Sequence, residues 1–162
     1  LSRGGAHDPP MKTAIRPMLL DDYDAVYQLW SITEGVALTE DDSRDGFARY
    51  LKRNPGYCFV AVDDEKIVGT ALGGHDGRRG FLRHLAVEKA YRKQGIARRL
   101  VQTCPEAIAA DSIWKCNIFV MDYNADGLRF WAHLGATQLD YEWRNFQLST
   151  TADAATPAAR LK

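Results

Sequence analysis

The densest run of chemistry-bearing residues is Arg92-Lys93-Gln94-Gly95-Ile96-Ala97, which follows an apolar stretch and runs into a helical pattern. A helix N-terminus leaves backbone N–H groups without partners and carries about +0.5 of partial charge. Gly95 and Ala97 keep the approach free of bulky side chains, so a phosphate could reach those amides directly. Arg92, Lys93, Arg98 and Arg99 add full positive charge around the same turn. A pyrophosphate therefore has a physically sensible seat, although Arg-x-x-Gly-x-Ala taken alone is a weak pattern that equally suits a strand-to-helix turn.

His84 precedes Leu85 on the apolar stretch and, with an ordinary pKa of ~6.5, could remove a proton directly or through water. Simple alternation puts it on the face of Leu82 and Ala86. It could equally be a histidine packed between strand and helix with one ring nitrogen satisfied. An acidic loop at residues 33–42 contains Glu34, Glu40, Asp41 and Asp42, which would favour a cationic partner or simply be solvated. Downstream stands Asn124-x-x-Gly127-x-x-Phe130-Trp131-x-x-Leu134-Gly135, with Tyr123 just before it. His75, His84 and His133 show no metal-ligand spacing with one another or with the cysteines, so no metal is expected. GxSxG is absent, and no Cys/His pairing suggests a covalent nucleophile. The run at residues 73–80 (GGHDGRRG) lacks GxxxxGK[ST] and reads as a hairpin turn.

The elements that must position these residues follow from periodicity and turn signals. Residues 13–16 read as a strand. Asp21 can cap a helix carrying Val26, Leu29 and Trp30 on one face. Ser43 opens a second helix with Phe47, Tyr50 and Leu51 buried, stopped at residues 54–56 by Asn-Pro-Gly. Residues 58–62 and 67–72 form a hairpin about the turn at 63–66. After the glycine-rich connection at 73–80, with its Asp76–Gly77 turn signal, comes a strand at 81–87. A helix over residues 95–110 presents Ile96, Leu100, Val101 and Cys104, and Pro105 should kink or break it. Residues 115–120 alternate as a strand, 124–134 form the last helix, and 143–148 close as a strand. The order predicts an α/β mixed sheet with helices on both faces.

Arg92 to Ala97 and Asn124 to Gly135 together resemble the GNAT superfamily of acyl-CoA-dependent N-acetyltransferases, most nearly its small bacterial members of uncertain substrate. The likeness covers about residues 12–148. It implies a central mixed sheet whose middle strands splay apart, with the arm of acetyl-CoA pairing with backbone in the gap. On this sequence Leu85, Ala86 and Val87 would border the arm. Arg92, Lys93, Gln94, Gly95, Ile96 and Ala97 would cradle the pyrophosphate. Asn124 would help hold the arm, and Phe130 and Trp131 would pack near the thiol end. The resemblance also makes the 33–42 loop a wall of the acceptor site, with Glu34 and Glu40 toward an amine. Family members frequently have Tyr where Trp131 stands, and that hydroxyl is assigned to protonating the leaving thiolate. Indole is no useful acid at neutral pH, so Tyr123 or water must serve, or the thiolate leaves unaided. The expected activity is transfer of acetyl from acetyl-CoA to a primary amine in a ternary complex. The alternative is an acyl-CoA-binding module without turnover.

Composition sets the outer bounds. The chain has 162 residues, 46% hydrophobic and 26% charged, which suits one domain with a full core. Residues 1–10 read as a leader extension, 11–148 as a single acetyltransferase domain and 149–162 as a flexible tail. Lys plus Arg and Asp plus Glu are each 21, so bulk charge gives no reason to expect nucleic acid or anionic membrane as a partner. No apolar run approaches the ~18 residues of a membrane helix. Cys58, Cys104 and Cys116 lack CxxC spacing and read as buried thiols in a reducing, cytoplasmic setting. Exposed strand edges make a homodimer reasonable.

Overall fold

The computed structural model describes residues 12–139 together with 146, 147 and 150. The expected leader, most of the expected tail and most of the closing strand at 143–148 lie outside the described residues. Within them the order is β1 (Thr13–Pro17), α1 (Tyr23–Ser31), α2 (Arg44–Arg53), β2 (Phe59–Asp63), β3 (Lys66–His75), β4 (Gly80–Val87), α3 (Ile96–Ala109), β5 (Cys116–Ile118) and α4 (Ala125–His133). The strands lie in sequence order, β1 to β4 antiparallel and β5 parallel to β4. This is the mixed α/β sheet that the element order predicts.

Each face of the sheet carries its own core. On one side Val26, Leu29 and Trp30 of α1 and Phe47 of α2 pack on Val60, Val62, Leu72 and Ala86. On the other, Ile96, Leu100 and Cys104 of α3 pack on Ala61, Val68, Ala71, Leu82 and Val87. Burial pushes the Cys58 thiol up to about 12, and Cys104 is likewise raised, so both are unreactive packing residues at neutral pH.

Local chemistry fixes the ends. Ser43 caps α2 by accepting from the Gly46 amide at 3.2 Å, and Asn124 caps α4 by accepting from Gly127 at 2.9 Å. The Asp76 side chain accepts from the amides of Arg78 and Arg79, each at 2.8 Å, closing the β3–β4 turn.

Four expectations need correcting. α1 starts behind a 3₁₀ turn at Leu20–Asp22, and Asp22 rather than Asp21 stands at its cap position, bonded to the Leu19 amide and to Arg16. Gly73 and Gly74 belong to β3 rather than to a connection, because a side chain at Gly73 would strike the Tyr57 carbonyl of the neighbouring segment. Pro105 does not break α3, whose buried Leu100, Cys104 and Ile108 seat both halves on the sheet. Finally, β5 is only three residues long and ends at Ile118.

Candidate active site

The site begins where two strands part. β4 and β5 pair at Gly80↔Cys116, Phe81↔Asn117 and Leu82↔Ile118, and beyond Leu82 they pair no further among the described residues. Beyond that point a cavity of about 630 Å³ opens between them, lined by residues 82–87 on one side and 118–121 on the other. Leu85, Ala86 and Val87 therefore border it. Glu88, just past the end of β4, accepts from Lys66 at the start of β3 at 2.8 Å.

At one end of the cavity stands the N-terminus of α3. Gly95 sits at the cap position in the left-handed region (φ 79°) and supplies no side-chain cap. The first-turn amides of Ile96, Ala97 and Arg98 thus have no intrahelical acceptor. The space around Gly95 is open, with nothing within 4 Å of where a Cβ would stand. Arg92, Lys93, Gly95, Ile96, Ala97 and Arg98 line the cavity, whereas Gln94 is exposed and outside it. Arg92 is held by its Nε donating to the Val87 carbonyl at 3.0 Å. Arg99 does not join the cluster, contrary to expectation: it donates to the Thr13 carbonyl at 2.8 Å and ties α3 to β1.

The opposite wall comes from α4. Phe130 and Trp131 line the cavity with their rings edge to face at 5.1 Å, and Trp131 packs against the α3-side core. Asn124 lines it too, but its Oδ1 is committed to the α4 cap, leaving only Nδ2 to donate. Tyr123 is 72% exposed and outside the lining. Glu34 lines the cavity from the α1–α2 loop, and Glu40 does not.

His84 sits where the strand loses its rhythm. The β3–β4 register shifts between Thr70↔Ala86 and Leu72↔Arg83, so one residue of β3 faces two of β4. This β-bulge turns Arg83 and His84 to the same side. His84 and Ala86 share the α1 face, while Leu82 packs on the α3 face. The expected common face for all three fails at that inserted residue. His84 itself adopts φ 48°. Trp30 Nε1 donates to Thr70 Oγ1 at 2.9 Å, and Thr70 Oγ1 donates to the His84 carbonyl at 2.9 Å. The imidazole stands edge to face with Trp30 at 4.6 Å.

Its Nε2 lies 2.6 Å from Asp42 Oδ1. Asp42 is fixed in turn by the Thr39 amide, 2.9 Å from its Oδ2, and by the Tyr23 hydroxyl, which donates to the Asp42 carbonyl at 2.8 Å. With Nε2–H donating to the carboxylate, Nδ1 keeps the free lone pair. Sequence reasoning found Asp42 only as one acid in a loop. Thr70 and Trp30 gave no signal beyond burial.

The family model described as the acetyltransferase (GNAT) family matches residues 23–136. The chain belongs to the GNAT acetyltransferase family. Among its GNAT relatives is an acetyltransferase of Pectobacterium atrosepticum, 32% identical over 110 residues, or 68% of this chain and 77% of the relative. The GNAT fold is shared with the PaiA N-acetyltransferase of Thermoplasma acidophilum in complex with coenzyme A, at TM-score 0.67 and 16% identity over 76% of this chain and 89% of that one. A structure of AAC(6')-Iy with a bisubstrate analogue, CoA-S-monomethyl-acetylneamine, aligns at TM-score 0.68 and 16% identity over 85% of this chain and 99% of that one.

Proposed function

We propose that this GNAT protein transfers the acetyl group of acetyl-CoA to a primary amine by direct attack within a ternary complex. The observation that carries the proposal is one cleft lined both by an uncapped, cation-flanked helix N-terminus and by His84, whose ring Asp42 holds from behind the lining. In this scheme the amides of Ile96, Ala97 and Arg98 donate to the pyrophosphate, and Arg92, Lys93 and Arg98 balance its charge. The left-handed Gly95 fits such a group, because the space beside the first-turn amides is open. The β4 backbone at Leu85 and Val87, unpaired by β5, is available to the amide-bearing arm, and Phe130 and Trp131 flank the reacting end.

When bound, acetyl-CoA supplies an activated thioester: the amine nitrogen bonds to its carbonyl carbon, the C–S bond breaks, and the electron pair leaves on sulfur. His84 Nδ1 accepts the proton that the attacking nitrogen must lose, directly or through one water. Asp42 holds the ring in the Nε2–H form and balances the imidazolium that results. Tyr123 is exposed and outside the lining, so in this scheme water protonates the thiolate. Glu34 borders the cofactor cleft on the acceptor's side. Release of free CoA from acetyl-CoA on adding amines, with the acetylated amine identified by mass, is the expected result. Tight acetyl-CoA binding without turnover on any amine would instead make the protein a binding module.

A further inference from the structure

A second cavity, about 820 Å³, lies on the α1–α2 face of the sheet and meets the first at Ala37, Arg83 and His84. It adjoins the atoms proposed to handle the proton, so an amine at His84 would extend its remaining groups into it. Its charge is not what the acidic loop suggests. Glu40 lies outside it, and of its two carboxylates Asp42 has both oxygens engaged, by His84 and the Thr39 amide. Asp41 is the other.

Against them stand Arg49 and Arg53 from α2 and Arg83 from the bulge. Among the described residues none of the three guanidinium groups has a carboxylate within ion-pair distance. Arg83 instead lies over the rings of Phe81 and Phe119, at 5.3 and 5.7 Å from their centroids. Arg49 and Arg53 are one helical turn apart, where like charges repel unless a counter-charge joins them. Three guanidinium groups with no carboxylate partner among the described residues, gathered in one concave wall, suit an anion.

We infer that the acceptor is an amine that also carries an anionic group, a carboxylate or a phosphate, its nitrogen at His84 and its anion on Arg49, Arg53 and Arg83. The inference rests on the acetyl-transfer reading and narrows it to zwitterionic acceptors. A polycation such as a polyamine would set its second charge against the arginines.

Matched pairs test it in the full-length protein. Amino acids are compared with their carboxamides, and O-phosphoethanolamine with ethanolamine, by free CoA release at saturating acetyl-CoA. In at least one series the anionic member is expected to exceed its uncharged counterpart at least tenfold in kcat/KM, chiefly through KM, and that series identifies the anion. The ratio should fall toward one in Arg53→Gln/Arg83→Gln and invert in Arg53→Glu. A wild-type ratio at or below one in both series, or a ratio unmoved by the arginine variants, overturns the inference and leaves acetyl transfer standing. If no member of any pair releases CoA while acetyl-CoA binds, acetyl transfer and this inference fall together.

Discussion

A single hydrogen bond between residues 42 positions apart does most to define the candidate chemistry. Asp42 gives His84 an orientation and a tautomer that the histidine alone would not have. Its removal should therefore act mainly on kcat rather than on cofactor binding. His84→Asn is the suitable variant, because asparagine accepts the left-handed backbone at low cost. We expect kcat/KM to fall about 10²-fold with acetyl-CoA affinity retained. Asp42→Asn should lose about tenfold, since the ring survives without its anchor. A His84→Asn enzyme with wild-type turnover on the same acceptor would reduce the pair to a packing feature.

At the scale of elements, the bulge in β4 and the start of α3 deserve separate tests. Thr70 is fully buried and both accepts from Trp30 and donates to the bulge carbonyl. Thr70→Val keeps the shape but strands an indole N–H and a carbonyl, at a cost of roughly 2–4 kcal/mol. Thermal unfolding should show that loss, accompanied by lower turnover as His84 shifts. At α3, Gly95→Asn preserves the left-handed turn without charge, whereas Gly95→Asp puts a carboxylate beside the proposed pyrophosphate. Calorimetric titration with acetyl-CoA should find the Asp variant at least tenfold weaker than the Asn variant; equal affinities would remove the pyrophosphate from this turn. What the sequence made legible here was local. Ser43, Asn124 and the Asp76–Gly77 turn announce themselves by residue type, and the Arg92-to-Ala97 turn by its place between strand and helix. The bulge does not, because period-two reading assumes an unbroken register, and only the facing strand shows that Ala71 opposes two residues. Gly73 hides for a similar reason: its smallness answers to Tyr57, in the segment leading into β2. The arginine-lined cavity draws on α2 and β4 together, so neither segment alone reveals it.

For the molecule as a whole, two cores back to back make the sheet a wall with chemistry along one opened seam. No helix among the described residues is long and apolar enough to cross a membrane. Stability should respond to acid through the clasp that joins β1 to the turn before α1. Arg16 donates twice to Asp22, at 2.8 Å each, and with the Leu19 amide holds that carboxyl below its usual range despite partial burial. A carboxyl so lowered stabilises the fold above its unfolded pKa of ~3.9, and the contribution disappears as pH falls through the native value. Asp22→Asn should thus lower Tm at pH 7 by about 2–4 °C, corresponding to roughly 1 kcal/mol with Arg16 partly in solvent. The gap to wild type should close below pH ~4, and a gap independent of pH would assign the effect to packing. Stability bears differently on His84, whose φ of 48° suits glycine or asparagine better than an imidazole. Relieving that backbone is worth roughly 1 kcal/mol. A laboratory selection for heat resistance alone would therefore tend to discard the histidine, enriching variants that fold better and, under the proposed role of His84, transfer worse.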